Sequence, residues 1–435
     1  MATTYLTRTF ASGGNRKKWT YSVWFKRSKI GHSEDSMLFQ TYGSTYTYCP
    51  IQSDDTFRFQ DGSGGNKITN RKLTDCNAWY HIVVAIDTDH VTADDRYKIY
   101  INGVRETSFS TSTNPSSGYE GEWNKATLMN IGRHSGGSSY YDGLMSHIHF
   151  CDGYQYAASD FGSTDATTGE WKINTSPSVS YGTTGFTILK DGNTITDQSA
   201  NSNNWTLGAG TLTNTEDCPS DVFATWNNLH NGFESATYSC GNTKTTTGGS
   251  GKYTWNNSTL GMIAGKYYME LRWVSGGTDA LFGITDRFSN NSTEELGNYA
   301  TQYAYRNNGQ IYNSNSGSAW GNTWQDGDVI GCALDMDNNK LYFSKNGTWE
   351  NSGDPTSGAT GTGAVSISAS PQNGCYYFSI CGYDDASMVF EANFGNGYLG
   401  TTAVTSAGTN ASGIGIFEYD VPTGYSALST KGLNK

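Results

Sequence analysis

The stretch from Asp328 to Trp349, DVIGCALDMDNNKLYFSKNGTW, constrains the fold of this chain more than any other. Apolar residues alternate with smaller or polar ones on both sides of a polar Asp-Asn-Asn turn, which is the pattern of two half-buried strands. Asn346-Gly347 then supplies a dipeptide that tolerates the two positive φ angles of a tight hairpin. The stretch therefore predicts a β-meander with polar turns, and it contains no catalytic candidate.

The same stretch carries a resemblance to a known family. Gly-Asp-Val-Ile-Gly is followed by Leu334-Asp335 and then by Phe343-Ser344-x-Asn346-Gly347, and this order resembles the central signature of SPRY domains. The flanking segments agree, namely YYMEL at 267–271, FGI at 282–284 and NFG at 393–395. The resemblance covers about residues 237 to 397, and it implies a β-sandwich that binds partners through surface loops.

The composition extends the all-β prediction to the whole chain. Aromatic residues make up 14% and charged residues 16% of 435 residues, with 53 Gly and 7 Pro. Aromatic residues favour strands, and Gly, Ser, Thr and Asn favour the turns between them. No useful window shows apolar residues at the i, i+3, i+4 and i+7 positions of a helix. At a typical ~100 to 200 residues per domain, two or three domains are expected.

The first half has its own series of strand motifs. Trp19, Tyr21, Val23 and Phe25 alternate along one strand face, and further motifs follow in order: AWYHIVVAID at 78–87, YKIYING at 97–103, IGR at 131–133 and YDGLMSHIHF at 141–150. Strands that recur with Gly and Asn turns predict a closed two-sheet sandwich. In this order the motifs resemble a laminin-G-like or concanavalin-like jelly roll over about residues 1 to 222.

Later segments narrow this resemblance to one group of laminin-G-like domains. DGYQYAASDFG, TGEWKIN, YGTTGFTILKDGNTITDQSANSNNWTL and PSDVFATWNNL, together with the opening YLTRTFASGGNRKKWTYSVWFKR, resemble laminin-G-like domains in virion proteins of marine tailed phages. The closing segment resembles the one that follows SPRY-like domains in the same proteins, through Tyr419, Pro422, Gly424, Tyr425, Ala427 and Leu428.

We therefore predict an all-β chain of two antiparallel β-sandwich (jelly-roll) domains, laminin-G-like and then SPRY-like, with a short C-terminal tail. The expected boundaries are a laminin-G/concanavalin-like domain over 1–226, a linker over 227–240, a SPRY-like domain over 241–397 and a tail over 398–435.

Charge and hydropathy exclude two classes of partner. A net charge of −12 argues against nucleic acid, because phosphate binding needs clustered Lys and Arg. The dense basic run, Arg16 to Lys18, is more simply a solvated strand face. The start MATTYLTRTF is not a secretory signal, and nothing approaches ~18 consecutive apolar residues. We expect a soluble protein that is made in a cytoplasm, does not insert into membranes and keeps most of its eight cysteines buried.

Enzyme motifs are not visible. A glycosidase needs two carboxylates at a fixed separation, and no Glu-x-Asp-x-x-Glu run occurs. His147 and His149 share strand spacing but lack the further ligands that zinc requires. There is no Walker loop, His-Glu-x-x-His or Gly-x-Ser-x-Gly motif. We expect no catalytic residue and no required cofactor.

Two features of the sequence are candidates for ligand binding. A loop with Asp87, Asp89, Asp94 and Asp95 could supply oxygen ligands to calcium, as in some laminin-G-like domains, although a solvated acidic turn is the favoured interpretation. Tyrosines in Ser-, Gly- and Asn-rich surroundings are candidate ligand-binding residues, because Tyr provides contact area at low entropic cost. These are Tyr46, Tyr48, Tyr140, Tyr141, Tyr303, Tyr305 and Tyr312. The alternative is that such tyrosines form the edges of the core.

The resemblance implies a non-enzymatic structural protein at the virion surface, a tail-fibre or receptor-binding adhesin whose loops bind host-surface glycan or protein. Expected partners are other virion proteins and copies of itself in a homo-oligomer. A capsid decoration or head-fibre protein is the alternative, because the chain lacks the repeats of a fibre shaft. A glycan depolymerase is a third hypothesis.

Overall fold

The computed structural model describes residues 3–42, 47–190, 192, 194–230, 236–248, 251–288, 293–383 and 387–434. The chain forms two compact units, residues 1–214 and residues 215–435. The all-β prediction is confirmed, because strands dominate and the described helices are single 3₁₀ turns. These turns are Ala93–Asp95, Ala158–Asp160, Glu350–Ser352, Gly358–Thr360 and Gly432–Asn434.

The first unit is a two-sheet sandwich. Its strands are β1 (Tyr5–Thr9), β2 (Lys18–Arg27), β3 (Ser36–Thr41), β4 (Thr47–Ile51), β5 (Thr56–Asp61), β6 (Gly65–Lys72), β7 (Trp79–Asp87), β8 (Tyr97–Ile101), β9 (Val104–Arg105), β10 (Phe109–Thr113), β11 (Leu128–Ile131), β12 (Gly143–Asp152), β13 (Gly162–Thr164), β14 (Trp171–Ile173), β15 (Phe186–Ile188) and β16 (Thr206–Ala209). An eight-stranded sheet runs β10-β6-β5-β4-β3-β11-β1-β16, and a six-stranded sheet runs β15-β12-β2-β7-β8-β9.

The core of the first unit lies between these sheets. The predicted alternation along β2 is confirmed, since Trp19, Tyr21, Val23 and Phe25 are all buried in one core cluster. Across the sandwich, the ring of Tyr21 stacks on Phe39 with centroids 4.6 Å apart. The alternate residues of β2 face the other way, as period-2 geometry requires.

The second unit is also built from two large sheets. Its strands are β17 (Thr237–Ser239), β18 (Lys244–Thr246), β19 (Tyr253–Asn257), β20 (Lys266–Ser275), β21 (Asp279–Thr285), β22 (Tyr303–Arg306), β23 (Gln310–Asn313), β24 (Ser316–Ala319), β25 (Val329–Asp335), β26 (Lys340–Lys345), β27 (Thr348–Trp349), β28 (Val365–Ser366), β29 (Tyr377–Tyr383), β30 (Val389–Asn393), β31 (Tyr398–Leu399), β32 (Thr402–Ala403) and β33 (Ser426–Ala427). One sheet runs β17-β18-β30-β20-β25-β26-β27, with β28 on β26 and β33 on β20, and the other runs β19-β29-β21-β22-β23-β24.

The predicted meander is confirmed as β25, β26 and β27. Ile330, Cys332 and Leu334 face the core, and antiparallel pairing joins β25 to β26. Asn346 and Gly347 have φ angles of 48° and 81°, which are the two positive values that a tight hairpin requires.

The two compact units divide between residues 214 and 215, twelve residues before the expected boundary at residue 226. Phe223 and Trp226 belong to the cores of the second unit, where Trp226 packs edge-on against Phe394 at 5.1 Å. Their apolar side chains have no role in the first core. Of the expected linker, residues 231–235 lie outside the described residues, and its end forms β17.

The expected tail is part of the second sandwich. β33 pairs in parallel with the start of β20, and Phe417 is buried against Tyr268 with ring centroids 5.1 Å apart. Residues that sequence alone places outside the domain therefore complete its packing. No helix within the described ranges has the length and apolar character to span a membrane.

Candidate functional site

A row of polar side chains crosses the outer face of the eight-stranded sheet. Strand register aligns Tyr48 with Gln60 on one side and with Gln40 on the other. Their strand neighbours Phe39, Cys49 and Phe59 point into the core, so the row points away from it. The same register continues at both ends, and we call the aligned residues the polar row: Thr7, Asn130, Gln40, Tyr48, Gln60 and Asn66.

Arg58 forms the first arginine–tyrosine pair on this face. Its guanidinium carbon lies 5.1 Å from the ring centroid of Tyr48. Arg58 Nε donates to Asn66 Oδ1 at 3.0 Å, and Nη2 donates to Gln60 Oε1. The ring and the two amides hold the guanidinium in one place, because a planar cation is attracted to an aromatic face and also satisfied by amide oxygens.

Arg133 and Tyr5 form a second arginine–tyrosine pair. The guanidinium carbon of Arg133 lies 3.8 Å from the ring centroid of Tyr5, and the ring of Tyr140 lies edge-on to Tyr5 at 6.4 Å. Gly208 on β16 lies under the same ring, where an added Cβ would come within 2.1 Å of a ring carbon. A glycine at this position therefore lets Tyr5 lie flat beside the adjacent strand.

The loop from Arg133 to Ser139 separates the two pairs. Ser135 N donates to Gln40 Oε1 at 2.6 Å, and the His134 ring lies edge-on to Tyr48 at 6.3 Å. Gln40 and Asn130 are buried, whereas Tyr48, Gln60 and Asn66 remain partly accessible. Tyr48 on β4 and Tyr5 on β1 are three strand spacings apart, or about 14 Å at ~4.8 Å per spacing.

Four of the seven candidate tyrosines are not accessible to a ligand. Tyr141, Tyr303, Tyr305 and Tyr312 are buried. Each satisfies its hydroxyl within the protein; for example, Tyr141 Oη donates to Lys26 O at 2.7 Å. Polar neighbours in sequence suggested exposure, but strand alternation turns these rings inward. Tyr48 and Tyr140 stay half-buried on the outer face, and Tyr46 lies outside the described residues.

The aspartate loop does not assemble a metal site. No group of three or more His, Cys, Asp or Glu residues that could hold a metal ion occurs in the described part of the chain. Three of the four predicted aspartates have cationic partners instead: Asp87 with Lys18 at 2.7 Å, Asp89 with Lys17 at 3.5 Å, and Asp95 with Arg105 at 2.8 Å. The fourth, Asp94, accepts from Asn114 Nδ2 at 2.6 Å. The calcium hypothesis is therefore not supported, because the basic run and Arg105 already neutralise this loop.

The carboxylates considered for catalysis are also taken up by structural contacts. Glu391 lies between Lys244, at 2.9 Å, and Arg272. Glu294 and Glu295 accept from tyrosine hydroxyls at 2.9 and 3.0 Å. Since no two of these acids face each other across an open cleft in the described structure, the pairing required for glycoside hydrolysis is not assembled there.

The histidine pair is buried rather than surface-exposed. A β-bulge with φ 47° at His147 brings its ring to 6.4 Å from that of His149. His149 Nδ1 lies 2.9 Å from Tyr181 Oη, and burial holds the pKa of His149 well below its usual value. The pair is part of the packing on the outer face of the six-stranded sheet.

The second unit presents a different kind of surface at one end. Phe288 is 47% exposed, and its ring lies between those of His230 and Tyr377, with centroids 4.8 and 4.9 Å away. Leu229, which precedes His230 in the chain, is 59% exposed. Sequence reasoning did not single out this apolar patch, nor did it identify Arg58, Arg133 and Tyr5 on the first unit.

Comparisons with known proteins agree with this architecture. Residues 2–158 match the laminin G type model of the concanavalin A-like lectin/glucanases superfamily, and residues 266–382 match the SPRY domain model. The chain thus contains a laminin-G-like domain followed by a SPRY domain. Domains of these two kinds typically bind proteins or glycans, and the matches indicate a role in binding or adhesion.

Individual relatives match only in part. The dual specificity protein kinase splA of Dictyostelium discoideum is 37% identical over 86 residues, 19% of this chain and 3% of the kinase. The Ran-binding proteins 9/10 homolog of Drosophila melanogaster is 31% identical over 86 residues, 19% of this chain and 9% of that protein. The chain therefore spans less than a tenth of the length of either relative.

Two solved structures are similar at low sequence identity. The SPRY domain of human HERC1 has a TM-score of 0.31 and 17% identity, over 38% of this chain and 96% of that one. Stonustoxin has a TM-score of 0.29 and 16% identity, over 39% of this chain and 27% of that one.

Proposed function

From a laminin-G-like domain followed by a SPRY domain, we propose a non-enzymatic phage virion protein, a tail-fibre or receptor-binding adhesin whose first unit binds glycans of the host surface. The observation that carries the glycan assignment is the outer face of the eight-stranded sheet. There, the partly accessible ring of Tyr48 lies in line with two amides and beside the guanidinium group of Arg58.

The chemistry of this face suits a sugar. An amide offers both donors and acceptors, as the hydroxyl groups of a sugar require. The ring of Tyr48 provides a flat apolar surface with little loss of side-chain entropy on binding. Tyr48, Gln60 and Asn66 follow one another along one line across the strands, so an extended ligand would contact all three.

The virion assignment is supported by the sequence resemblance of residues 152–226 and of the closing segment. Gold labelling of intact particles with an antibody against this chain tests it. Label at the tail end supports an adhesin, whereas label over the head supports the capsid decoration or head-fibre alternative. Unlabelled particles would remove the virion proposal.

Glycan binding is tested with the full chain and a set of host-surface polysaccharides. Tyr48→Ala should weaken binding, because it removes the aromatic ring that lies in line with the amides of Gln60 and Asn66. Tyr154→Ala is the matched control, since Tyr154 is 43% exposed in the same unit and stacks on Tyr156 rather than in the polar row. If both variants bound the polysaccharides as tightly as the unmodified chain, Tyr48 would not be part of the binding site.

The depolymerase hypothesis has a separate test. Incubating the chain with the polysaccharides that it binds should release no reducing sugar. Release of reducing ends above that of a heat-denatured sample would show that carboxylates from separate strands act together, and the protein would then be an enzyme.

A further inference from the structure

We infer that the ligand of the first unit is an anionic polysaccharide, bearing carboxylate or sulfate groups, that runs across the strands and contacts both Arg58 and Arg133. This inference rests on the proposed function, because it names the class of glycan for the same face. The carrying observation is that two fixed cations on this face have no acidic partner in an otherwise acidic chain.

Several other arginines of the first unit have carboxylate partners, whereas Arg8 and Arg96 donate to backbone carbonyl and amide oxygens. Arg27 pairs with Asp55, Arg71 with Glu106 and Arg105 with Asp95, each at 2.8 Å. Within the described residues, Arg58 and Arg133 have no carboxylate within ion-pair distance. In a chain with a net charge of −12, the outer face of the eight-stranded sheet thus presents two cations without a carboxylate partner.

Both guanidinium groups retain unused donors. Arg58 uses Nε and Nη2 on the amides of Asn66 and Gln60, which leaves Nη1 without a hydrogen-bond partner in the described structure. Arg133 makes no hydrogen bond within the described residues, so its two Nη groups also remain unused, while its Nε is buried. Because a planar guanidinium matches carboxylate and sulfate oxygens with parallel N–H groups, these donors suit an anionic ligand.

The strands of this sheet contribute almost no negative charge. Asp61 is the single acidic residue in the eight strands. Its carboxylate points into the core, where it accepts from Tyr97 Oη at 2.9 Å and from Glu122 N at 2.8 Å. Glu34 lies against the loop between the pairs and accepts from Ser139 N at 3.1 Å. An anion on the outer face therefore meets two cations and little repulsion from the sheet.

The spacing of the two pairs points to a polymer. Tyr48 and Tyr5 are about 14 Å apart across the strands, so one monosaccharide cannot contact both pairs. A chain that carries repeated negative charges can do so, and each additional contact adds avidity. Nucleic acid is disfavoured as the occupant, because its binding requires many clustered cations rather than two.

The experiment compares matched polymers on the immobilised full chain by biolayer interferometry. Polygalacturonate is compared with its methyl ester, and dextran sulfate with dextran, so that only the charge differs within each pair. We expect at least one anionic polymer to bind about tenfold or more tightly than its neutral counterpart, and this preference to weaken as salt rises.

Variants then locate the site. Arg58→Gln and Arg133→Gln should each reduce affinity for the anionic polymer about tenfold and reduce the preference over the neutral one. Arg105→Gln removes the same charge from the opposite sheet, where Arg105 pairs with Asp95, and should leave the preference unchanged. Melting curves of all variants should coincide, which separates loss of binding from loss of folding.

Three results would overturn the inference. Equal affinity for neutral and anionic polymers would refute the anionic class while leaving the glycan-binding proposal intact. Binding of a single-stranded DNA oligonucleotide as tightly as the anionic polysaccharide would show a general affinity for polyanions. Binding of no polysaccharide, neutral or anionic, including those of the host surface, would remove both the inference and the proposed function.

Discussion

The carboxylate of Glu270 on β20 accepts the backbone N–H of Tyr419 at 2.8 Å, and so ties the C-terminal segment to the sheet of the second unit. The same carboxylate accepts from Glu418 N at 2.9 Å and from Asn393 Nδ2 at 3.1 Å. Glu270 is fully buried, so no water molecule can replace its carboxylate as the acceptor for these N–H groups.

Replacing Glu270 by Gln should destabilise the second unit by about 1 to 3 kcal/mol, because one acceptor becomes a donor that faces N–H groups in the core. Glu418→Gln makes the same chemical change on a less buried side chain and should have little effect. Urea unfolding followed by tryptophan fluorescence measures both. Equal midpoints for the two variants would show that the carboxylate does not hold the segment.

The same group predicts a pH dependence. Burial raises the pKa of Glu270 to about 7, whereas a carboxyl in the unfolded chain ionises near 4.5. The folded state therefore binds more protons between these values, and the second unit should lose stability as pH rises through this window. Scanning calorimetry from pH 4.5 to 7 measures the melting temperature of the second unit. In the Glu270→Gln variant this temperature should depend less on pH.

The first unit should respond in the opposite direction. Burial lowers the pKa of His81 to about 3, and its ring lies 2.8 Å from Ser22 Oγ and accepts from Trp171 Nε1 at 3.0 Å. The unfolded chain takes up a proton near pH 6.5, so stability should fall as pH drops from 6.5 towards 3, by at most about 1.4 kcal/mol per pH unit for this group. The melting temperature of the first unit, measured between pH 6.5 and pH 3, tests this, and His90→Gln serves as a surface control. A transition that is unchanged by acid would contradict it.

Calcium should have no effect on the first unit. Asp87, Asp89 and Asp95 already have cationic partners, so chelation removes nothing that holds the loop. Melting curves with excess EDTA and with millimolar calcium should coincide. An increase in melting temperature on adding calcium would restore the metal hypothesis for this loop.

Gly208→Ala should weaken glycan binding without unfolding the chain. The added methyl group would come within 2.1 Å of the Tyr5 ring, whose free end can swing away from Arg133. We expect an effect similar to that of Tyr5→Ala in the polysaccharide assay. Binding equal to that of the unmodified chain, with an unchanged melting temperature, would show that the second arginine–tyrosine pair does not contact the ligand.

Local patterns in the sequence were sufficient to predict the strands. The alternation of Trp19, Tyr21, Val23 and Phe25 and the hairpin at Asn346-Gly347 depend on neighbouring residues and on backbone φ preferences. Composition and motif order were likewise sufficient for the all-β class and for a laminin-G-like domain followed by a SPRY domain.

Tertiary contacts decided which side chains are accessible and which strands lie side by side. Tyr305 and Tyr48 both occur among polar neighbours, yet one is buried and the other lies half-buried on a sheet face. The polar row joins residues from six strands, and its register depends on pairings between distant segments, such as Thr7 with Asn130. The periodicity of a single strand predicts which residues share a face, but long-range pairing decides which strands lie side by side and which face is left uncovered.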